Sequence, residues 1–199
     1  MGETPLKLLN SFSKEKDVFN SVVPKHIGWY ICGPTVYDSA HMGHARNYVN
    51  FDILRRVFTG YFGYSATYVM NVTDIDDKII LRTHLLRLKE VIDVARSANH
   101  QGDALNAAEK TLLESEKDLL ALKAAHEALA KEVDAPEFDV QTRFQRLARK
   151  YELEFFEDMK ALGVRPPDVL TRVSEYVEEV KSFIDGIISK GYAYASNGS

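Results

Sequence analysis

The chain has 199 residues, of which 45% are hydrophobic and 27% are charged, an ordinary composition for a globular protein. The formal net charge of -4 gives no overall basic surface, so a general nucleic-acid-binding role for this chain alone is disfavoured. The single cysteine excludes an internal disulfide and fits a reducing compartment. No apolar run reaches the roughly 18 residues of a transmembrane helix, and cytosol is the expected location.

The first half of the chain has the pattern of an α/β fold. Residues 1–25 are mostly polar and are predicted to form an arm. Alternation over residues 27–32 predicts a strand that ends at Gly33-Pro34, apolar positions every fourth residue predict a helix over residues 43–59, and residues 65–70 alternate again. A strand, a helix and a strand in this order indicate a βαβ unit with parallel strands.

A long helical region follows this unit. Thr73 and Asp76 have the spacing of a capping box, which predicts a helix that continues to about residue 95. The pattern breaks at residues 99–103, and leucines at heptad spacing predict a second helix from Leu105 to Val133. Two long helices with a short break between them indicate a helical hairpin inserted into the α/β core.

The last part of the chain returns to mixed structure. The pattern of residues 144–162 predicts a helix, and that of residues 168–173 predicts a strand. Ser174 is a candidate cap for a further helix that ends near Gly191. The final residues alternate and reach Asn197-Gly198, a strong hairpin turn signal without a returning strand. We therefore expect this chain to be a fragment of a longer protein; the alternative is a frayed tail.

The motif His41-Met42-Gly43-His44 lies between the first strand and the first helix. A helix N-terminus offers free N–H groups and a partial positive charge, which suit a phosphate group. Gly43 lets a ligand approach the backbone, and both histidines can donate hydrogen bonds to phosphate oxygens. The alternative is a pair of ordinary capping or surface histidines, but the position after a strand and before a helix favours a site.

Other candidate residues lie at the ends of the two predicted strands. Cys32 can be a small buried side chain, a nucleophile with a histidine base, or a metal ligand that needs further ligands from elsewhere. Thr73 and the acidic residues after it can hold an amine or a hydroxyl, although a helix cap with first-turn acids is the better interpretation of Asp76 and Asp77. The leucine seam with His126 is interpreted as hairpin core or partner surface.

Two stretches carry a specific resemblance to a known family. WYICGPTVYDSAHMGHARNYVNFDILRR and YVMNVTDIDDKII contain Cys-Gly-Pro-Thr-Val-Tyr-Asp, the His-x-Gly-His signature and Asn-x-Thr-Asp-Ile-Asp-Asp-Lys. In order and spacing these motifs resemble the cysteinyl-tRNA synthetases, a family of class I aminoacyl-tRNA synthetases. The resemblance covers about residues 8–82 and 150–199, and the stretch between them resembles the insertion of eukaryotic cytosolic-type members.

The resemblance implies a fold and three regions. Residues 1–82 would be the first part of a class I catalytic domain, which is a Rossmann-like nucleotide-binding fold. Residues 83–149 would be a helical insertion, with a possible protein partner or dimer contact. Residues 150–199 would continue the catalytic domain. A cytoplasmic enzyme without membrane contact is expected.

The resemblance also implies an activity and its residues. Such enzymes activate L-cysteine with ATP and Mg²⁺ to cysteinyl-adenylate and transfer the cysteinyl group to tRNA(Cys). His41, Gly43 and His44 would hold ATP, with His41 and His44 catalytic, and Gly33, Thr35 and Thr73 would bind cysteine. Cys32 would be one ligand of a Zn²⁺ ion that selects sulfur over a serine hydroxyl.

This sequence lacks some family motifs, and the differences leave alternatives open. The Lys-Met-Ser-Lys-Ser loop and the other zinc ligands do not occur in it, and the family order puts them after residue 199. We therefore expect this chain alone to be inactive and to bind zinc weakly. One alternative is a non-catalytic synthetase-like binding module; another is a related ligase that transfers cysteine to an amine.

Overall fold

The computed structural model describes residues 5–114 and 118–194. The chain forms two compact units. The first unit comprises Met1–Pro34, Ala40–Val72 and Phe155–Thr171, and the second comprises Thr35–Ser39, Thr73–Glu154 and Arg172–Ser199. Each unit therefore contains segments that are far apart in the sequence.

The first unit begins with a short antiparallel pair, β1 (Lys7–Leu9) and β2 (Lys16–Val18). The Asp17 carboxylate accepts hydrogen bonds from the side chains of Asn10 and Ser13, which closes the turn between these strands. Part of the predicted polar arm is therefore a hairpin. Its strands are three residues long and mostly exposed, so they have no clear apolar alternation.

A βαβ unit follows, as the sequence predicted. Strand β3 (His26–Ile31) leads to helix α1 (Met42–Arg56), which continues as a π-helical turn over Val57–Tyr61, and then to β4 (Ser65–Val72). Strands β3 and β4 are parallel, with Ile31 opposite Met70. Strand β5 (Val169–Arg172), also predicted, pairs with the other edge of β4, so the strand order is β3-β4-β5.

Aromatic side chains pack α1 against the sheet. The Trp29 ring lies 6.0 Å from Phe51 and 5.5 Å from Tyr68 between centroids, both edge to face, and 5.4 Å from Phe58. Such pairs each contribute about 0.5–1.5 kcal/mol beyond the burial of their surface. The indole therefore fixes the helix across both strands.

One arginine explains why β5 lies beside β4. The Arg55 guanidinium donates to the Pro166 carbonyl at 2.7 Å and to both oxygens of Asp168 at 2.8 and 2.9 Å. The same carboxylate accepts the Tyr68 backbone N–H at 2.7 Å. The Arg55 side chain is buried, whereas that of Asp168 is 43% exposed, and this ion pair holds the segment before β5 against α1 and β4.

The second unit is helical. It contains α2 (Asp77–Ser97), α3 (Asp103–Glu114), α4 (Leu119–Ala130) and α6 (Val177–Ser189), and α5 (Val140–Ala161) contributes its residues 140–154. Helices α2, α3 and α4 bury one common apolar cluster: Leu85, Leu88, Val91, Ile92, Ala95, Leu105, Ala108, Leu122 and Leu129. None of the described helices is both long and apolar enough to cross a membrane.

The predicted second helix of the hairpin is wrong in one respect. Within this range α3 ends at Glu114 and α4 extends from Leu119 to Ala130, and Asp118 caps α4 through the N–H groups of Leu120 and Ala121. Residues 115–117, including Ser115 of the predicted seam, lie outside the described residues. The leucine spacing continues across the break, so periodicity could not show it.

Two predicted helix caps are also wrong. The side chain that caps α2 is Asp76, which accepts the Lys78 N–H, whereas Thr73 pairs with Thr35 in an isolated parallel bridge. Ser174 lies in a 3-10 turn, Val173–Glu175, and donates its backbone N–H to Asp74 at 2.9 Å. Cap residues also favour turns, so spacing alone did not separate the two uses.

The predicted terminal strand is not found where it can be checked. Residues 192–194 follow Gly191, which has a φ of 76° and ends the turn after α6, and they are not in a strand. The Asn197-Gly198 turn lies outside the described residues.

Candidate functional site

The turn after β3 is held by an asparagine of β4. The Gly33 N–H donates to the Asn71 Oδ1 atom at 2.7 Å, and the Tyr30 hydroxyl donates to the same oxygen at 3.1 Å. A Cβ atom on residue 33 would lie 1.6 Å from the Asn71 carbonyl oxygen. Any side chain here would therefore displace the backbone, which explains the glycine at this position.

Cys32 is exposed directly before this glycine. Its carbonyl oxygen accepts the Tyr48 hydroxyl at 3.1 Å, so α1 supports the backbone of the cysteine. Tyr48 is buried, and this burial raises the pKa of its phenol well above the ordinary value. The hydroxyl thus stays protonated, and it donates this hydrogen bond throughout the physiological pH range.

His41 and His44 cap the start of α1 reciprocally. His41 Nδ1 accepts the Gly43 N–H at 3.0 Å, and His44 Nδ1 accepts the His41 N–H at 3.2 Å. The two rings stack with centroids 4.0 Å apart and an angle of 19° between their planes. This is a capping box built from two imidazoles. Capping boxes normally have Ser or Thr at the cap position and Glu or Gln three residues later.

Gly43 makes room for this arrangement. A Cβ atom on residue 43 would lie 2.8 Å and 2.9 Å from two ring atoms of His41. The ring would have to move away from the cap position if residue 43 had a side chain. The glycine of the motif therefore serves the histidine geometry.

The caps fix where the histidine protons lie. Because both Nδ1 atoms accept hydrogen bonds from the backbone, each neutral ring carries its proton on Nε2. Partial burial, and next the nearby charge of His41, lower the pKa of His44, which favours its neutral form. The pair therefore offers two Nε2–H donors at the start of α1, where the backbone N–H groups of Gly43, His44 and Ala45 already bond to His41.

Phe155 supports this pair from α5. Its ring contacts Tyr48 at 5.1 Å and His44 at 6.3 Å between centroids, in both cases edge to face. Phe155 is buried in the core of the first unit. Sequence reasoning did not identify Phe155 or Tyr48 as part of the site, since apolar periodicity marks them only as core.

Thr35 and Thr73 belong to the second unit, where they face each other. They form an isolated parallel bridge, and the Val36 N–H donates to the Thr73 carbonyl at 3.1 Å. Both residues are half-buried. Two of the acidic residues after Thr73 have structural roles. Asp76 caps α2, as the cap interpretation predicted, and Asp74 accepts the Ser174 backbone N–H.

The residues of the described ranges do not form a metal site by themselves. Among them, no group of three or more His, Cys, Asp or Glu side chains is arranged to hold an ion. Cys32 supplies one thiolate, whereas zinc in proteins is usually held by about four ligands. The donor set of the described residues therefore does not fit a complete zinc centre.

Comparison with known proteins agrees with the motifs. Residues 18–199 match the family described as tRNA synthetases class I (C) catalytic domain. The chain is 39% identical over 240 residues to "Cysteine--tRNA ligase, cytoplasmic" of Drosophila melanogaster, which covers 98% of this chain and 32% of that protein.

Two mammalian proteins with the same name are similarly related. The protein of Mus musculus is 41% identical over 239 residues, covering 98% of this chain and 29% of that protein. The protein of Homo sapiens is 37% identical over 245 residues, with shares of 98% and 32%. The chain thus spans about a third of the curated relatives that it matches, and it belongs to the class I (C) tRNA synthetase catalytic-domain family.

Proposed function

We propose that this chain is part of a cysteine–tRNA ligase, which activates L-cysteine with ATP and transfers it to tRNA(Cys). The observation that carries the proposal is the reciprocal cap of His41 and His44, which presents two Nε2–H donors at the start of α1, the helix that follows strand β3. The family match and the names of the relatives support the same activity. A cytoplasmic location is proposed from those names.

In this proposal His41, Gly43 and His44 bind the ATP phosphates. The cysteine carboxylate attacks the α-phosphorus, a new O–P bond forms, and the bond to the pyrophosphate oxygen breaks. Negative charge grows on the phosphate oxygens during this step, and preorganised N–H donors stabilise it most where it develops. Because both Nδ1 atoms accept backbone hydrogen bonds, the rings would act through Nε2–H as hydrogen-bond donors, without a proton being taken up or lost.

Gly33, Thr35 and Thr73 are proposed to bind the substrate cysteine. Residue 33 lacks a side chain because a Cβ atom there would meet the Asn71 backbone, and the neighbouring Cys32 is exposed. A terminal tRNA hydroxyl then attacks the carbonyl carbon of the adenylate, forming the ester and releasing AMP. Mg²⁺ would accompany ATP as its usual counter-ion.

The proposed role of Cys32 as a zinc ligand stays conditional. Cys32 is exposed, but it is a single thiol, and no group of three or more His, Cys, Asp or Glu side chains among the described residues could hold an ion. A complete centre would need ligands that the described residues do not supply.

We further propose that the parallel β3-β4 pair and β5 are part of a Rossmann-like fold, and that residues 83–149 are a helical insertion between residues 1–82 and 150–199. The shared apolar cluster of α2, α3 and α4 supports this, because these helices bury their leucines against each other. Such a self-contained insertion could present a surface to a second copy or to another protein.

Cysteine-dependent exchange of pyrophosphate into ATP, measured on the full product of this gene, tests the proposed function. Exchange that requires cysteine and is not supported by serine is the expected result. A folded protein that shows no exchange with cysteine would contradict the proposal and favour the non-catalytic binding module.

A further inference from the structure

The second unit contains a groove of about 430 Å³ between helix α2 and the first half of α5. Three of the six side chains that line it are cationic and none is acidic: Thr83, Leu86, Arg143, Arg146, Leu147 and Lys150. The three cations follow one another at spacings of three and four residues, so they lie on one side of α5 and extend over about 10 Å. The groove therefore presents a line of positive charge.

This positive charge is local, because the chain as a whole is acidic. Residues 141–150 contain four Arg or Lys and no Asp or Glu, whereas the whole chain has 25 Arg or Lys and 29 Asp or Glu. The overall charge disfavours a general nucleic-acid-binding role, but a single basic groove is compatible with one restricted contact to a polyanion.

Two of the three cations have no carboxylate partner among the described residues. Arg143 donates to the two oxygens of Glu90 at 2.6 and 3.1 Å. Arg146 and Lys150 are exposed and form no ion pair within the described ranges. Asp139, which precedes α5, accepts two backbone N–H groups at the start of that helix. The charges of Arg146 and Lys150 are therefore left for a bound anion.

We propose that this groove binds the phosphate backbone of an RNA. In this arrangement Arg146 and Lys150 each contact one phosphate, and Arg143 adds positive charge from its place beside Glu90. None of the six lining side chains is aromatic, so bases do not stack in the groove, and the contact positions the RNA without reading its sequence.

The choice of an RNA rests on the proposed function, because tRNA(Cys) is a substrate of that reaction and an acidic protein segment is not. The proposal deepens that function, since it places a contact with the tRNA on α2 and α5 of the helical unit. A regular row of phosphates also matches cations that are spaced along one side of a helix.

Fluorescence anisotropy of labelled tRNA(Cys) with the full product of this gene, at several salt concentrations between roughly 50 and 200 mM, tests the proposal. Each lost phosphate contact reduces the slope of log K against log salt by about 1. The double variant Arg146→Gln/Lys150→Gln should bind about 10-fold more weakly at low salt, with a slope smaller by about 2. A tRNA of unrelated sequence should lose affinity by the same factor, because the bases are not read.

Two further double variants control for charge and position. Lys110→Gln/Lys131→Gln removes two exposed lysines of the same unit that lie outside the groove, and it should bind tRNA like the unaltered protein. Arg146→Lys/Lys150→Arg keeps both charges and should retain most of the affinity. Circular dichroism checks the fold of each variant, and the single variants Arg146→Gln and Lys150→Gln replace the first double variant if it does not fold.

Several outcomes would overturn the proposal. They are no binding of tRNA to the unaltered protein, equal binding to the folded groove variant, an equal loss in the control outside the groove, and a loss confined to tRNA(Cys). Binding of polyglutamate that the groove variant loses, with tRNA binding unchanged, would assign the groove to an acidic protein segment.

Pyrophosphate exchange by the unaltered protein is measured in parallel, because the adenylate step does not involve the tRNA. Exchange that requires cysteine, together with an unchanged tRNA affinity of the groove variant, would refute the groove alone and leave the proposed function in place. Absence of exchange, together with weakened tRNA binding in the groove variant, would refute the ligase activity and keep the RNA contact.

Discussion

Two histidine pairs in this chain are held in opposite ways. In the first unit, His41 and His44 stack at the start of α1 and bond through Nδ1 to backbone N–H groups. In the second unit, His84 Nδ1 and His126 Nε2 lie 2.9 Å apart and bond to each other, with the side chains only 5% and 3% exposed.

The difference decides what each pair can do. A ring that bonds to its own backbone keeps one nitrogen for a ligand, as in α1. Rings that are buried and bond to each other, with Phe138 edge-on to both, have almost no exposed surface for a ligand. The α1 pair is therefore a candidate for binding and chemistry, whereas the pair between α2 and α4 stabilises the helical core.

The largest effect is expected on the activity that depends on the α1 pair. His44→Ala in the full gene product should lower cysteine-dependent pyrophosphate exchange by about 10²-fold or more, because one donor to the developing phosphate charge is lost. The fold should persist by circular dichroism. His100→Ala is the control, since His100 contacts only the exposed Glu132 among the partners given by the structure. An unchanged exchange rate in His44→Ala would refute the role.

The free energy of unfolding should depend more on the buried pair than on the α1 pair. His126→Ala should lower the free energy of unfolding by about 2–3 kcal/mol, because it opens a hole in the core and leaves His84 Nδ1 without its partner. His41→Asn should change it by less than about 0.5 kcal/mol, since asparagine is itself a good helix cap. Urea denaturation of both variants measures this, and equal losses would mean that the two pairs are not structurally different.

Acid should affect the buried pair. Burial lowers the pKa of His84 to about 4, and it also lowers the pKa of His126. The charge of Lys123 lowers both pKa values further, and the charge of Arg87 lowers that of His126. The charge of Glu127 acts in the opposite direction on both. The unfolded chain, with histidine pKa values near about 6.5, then binds more protons than the folded chain below that pH. The stability is thus present above pH ~6.5 and is lost as the pH falls toward about 4.

This loss should follow a slope of at most about 1.4 kcal/mol per pH unit for one histidine. Urea denaturation at several values between pH 7 and pH 5 should show about 2 kcal/mol of lost stability. A variant with both His84→Leu and His126→Leu should lose most of this slope, and His100→Gln should keep it. A slope that is the same in the double variant would assign the acid effect to other groups.

A smaller effect is expected at Gly43. Gly43→Ala should displace the His41 ring, because the new Cβ would come within 2.8 Å of it. Displaced donors stabilise a transition state less well, and we expect a roughly 10-fold loss of pyrophosphate exchange with α1 intact. Gly60→Ala is the matched control, since a Cβ at residue 60 meets nothing within 4 Å.

The sequence predicted the βαβ unit because apolar alternation is strong on both sides of a clear helical pattern, and β3, α1 and β4 confirm it. The position of the His-x-Gly-His motif followed from that unit. The tautomers and the stacking could not be predicted, because they depend on backbone N–H groups whose directions only the fold defines. His126 was placed on the helical seam, but nothing in the sequence indicated its partner His84.

The supporting residues were missed for a related reason. Phe155 lies in α5, far along the chain from His44, and its pattern marks it only as part of an apolar face. The break between α3 and α4 was missed because the leucine spacing continues across it. Periodicity indicates that an element forms, but it does not show what the element contacts, and in α1 the buried residues are Tyr48, Asp52 and Arg55, whereas the apolar Ile53 is exposed.

Nitrogen-15 NMR of the histidine rings in the 199-residue chain, with and without MgATP at neutral pH, tests the central claim most directly. The account predicts a protonated Nε2 and an unprotonated Nδ1 in both His41 and His44, and a shift of these Nε2 signals on addition of nucleotide while His84 and His126 stay unchanged. Protonation of Nδ1 in the α1 pair, or nucleotide shifts confined to the buried pair, would contradict it.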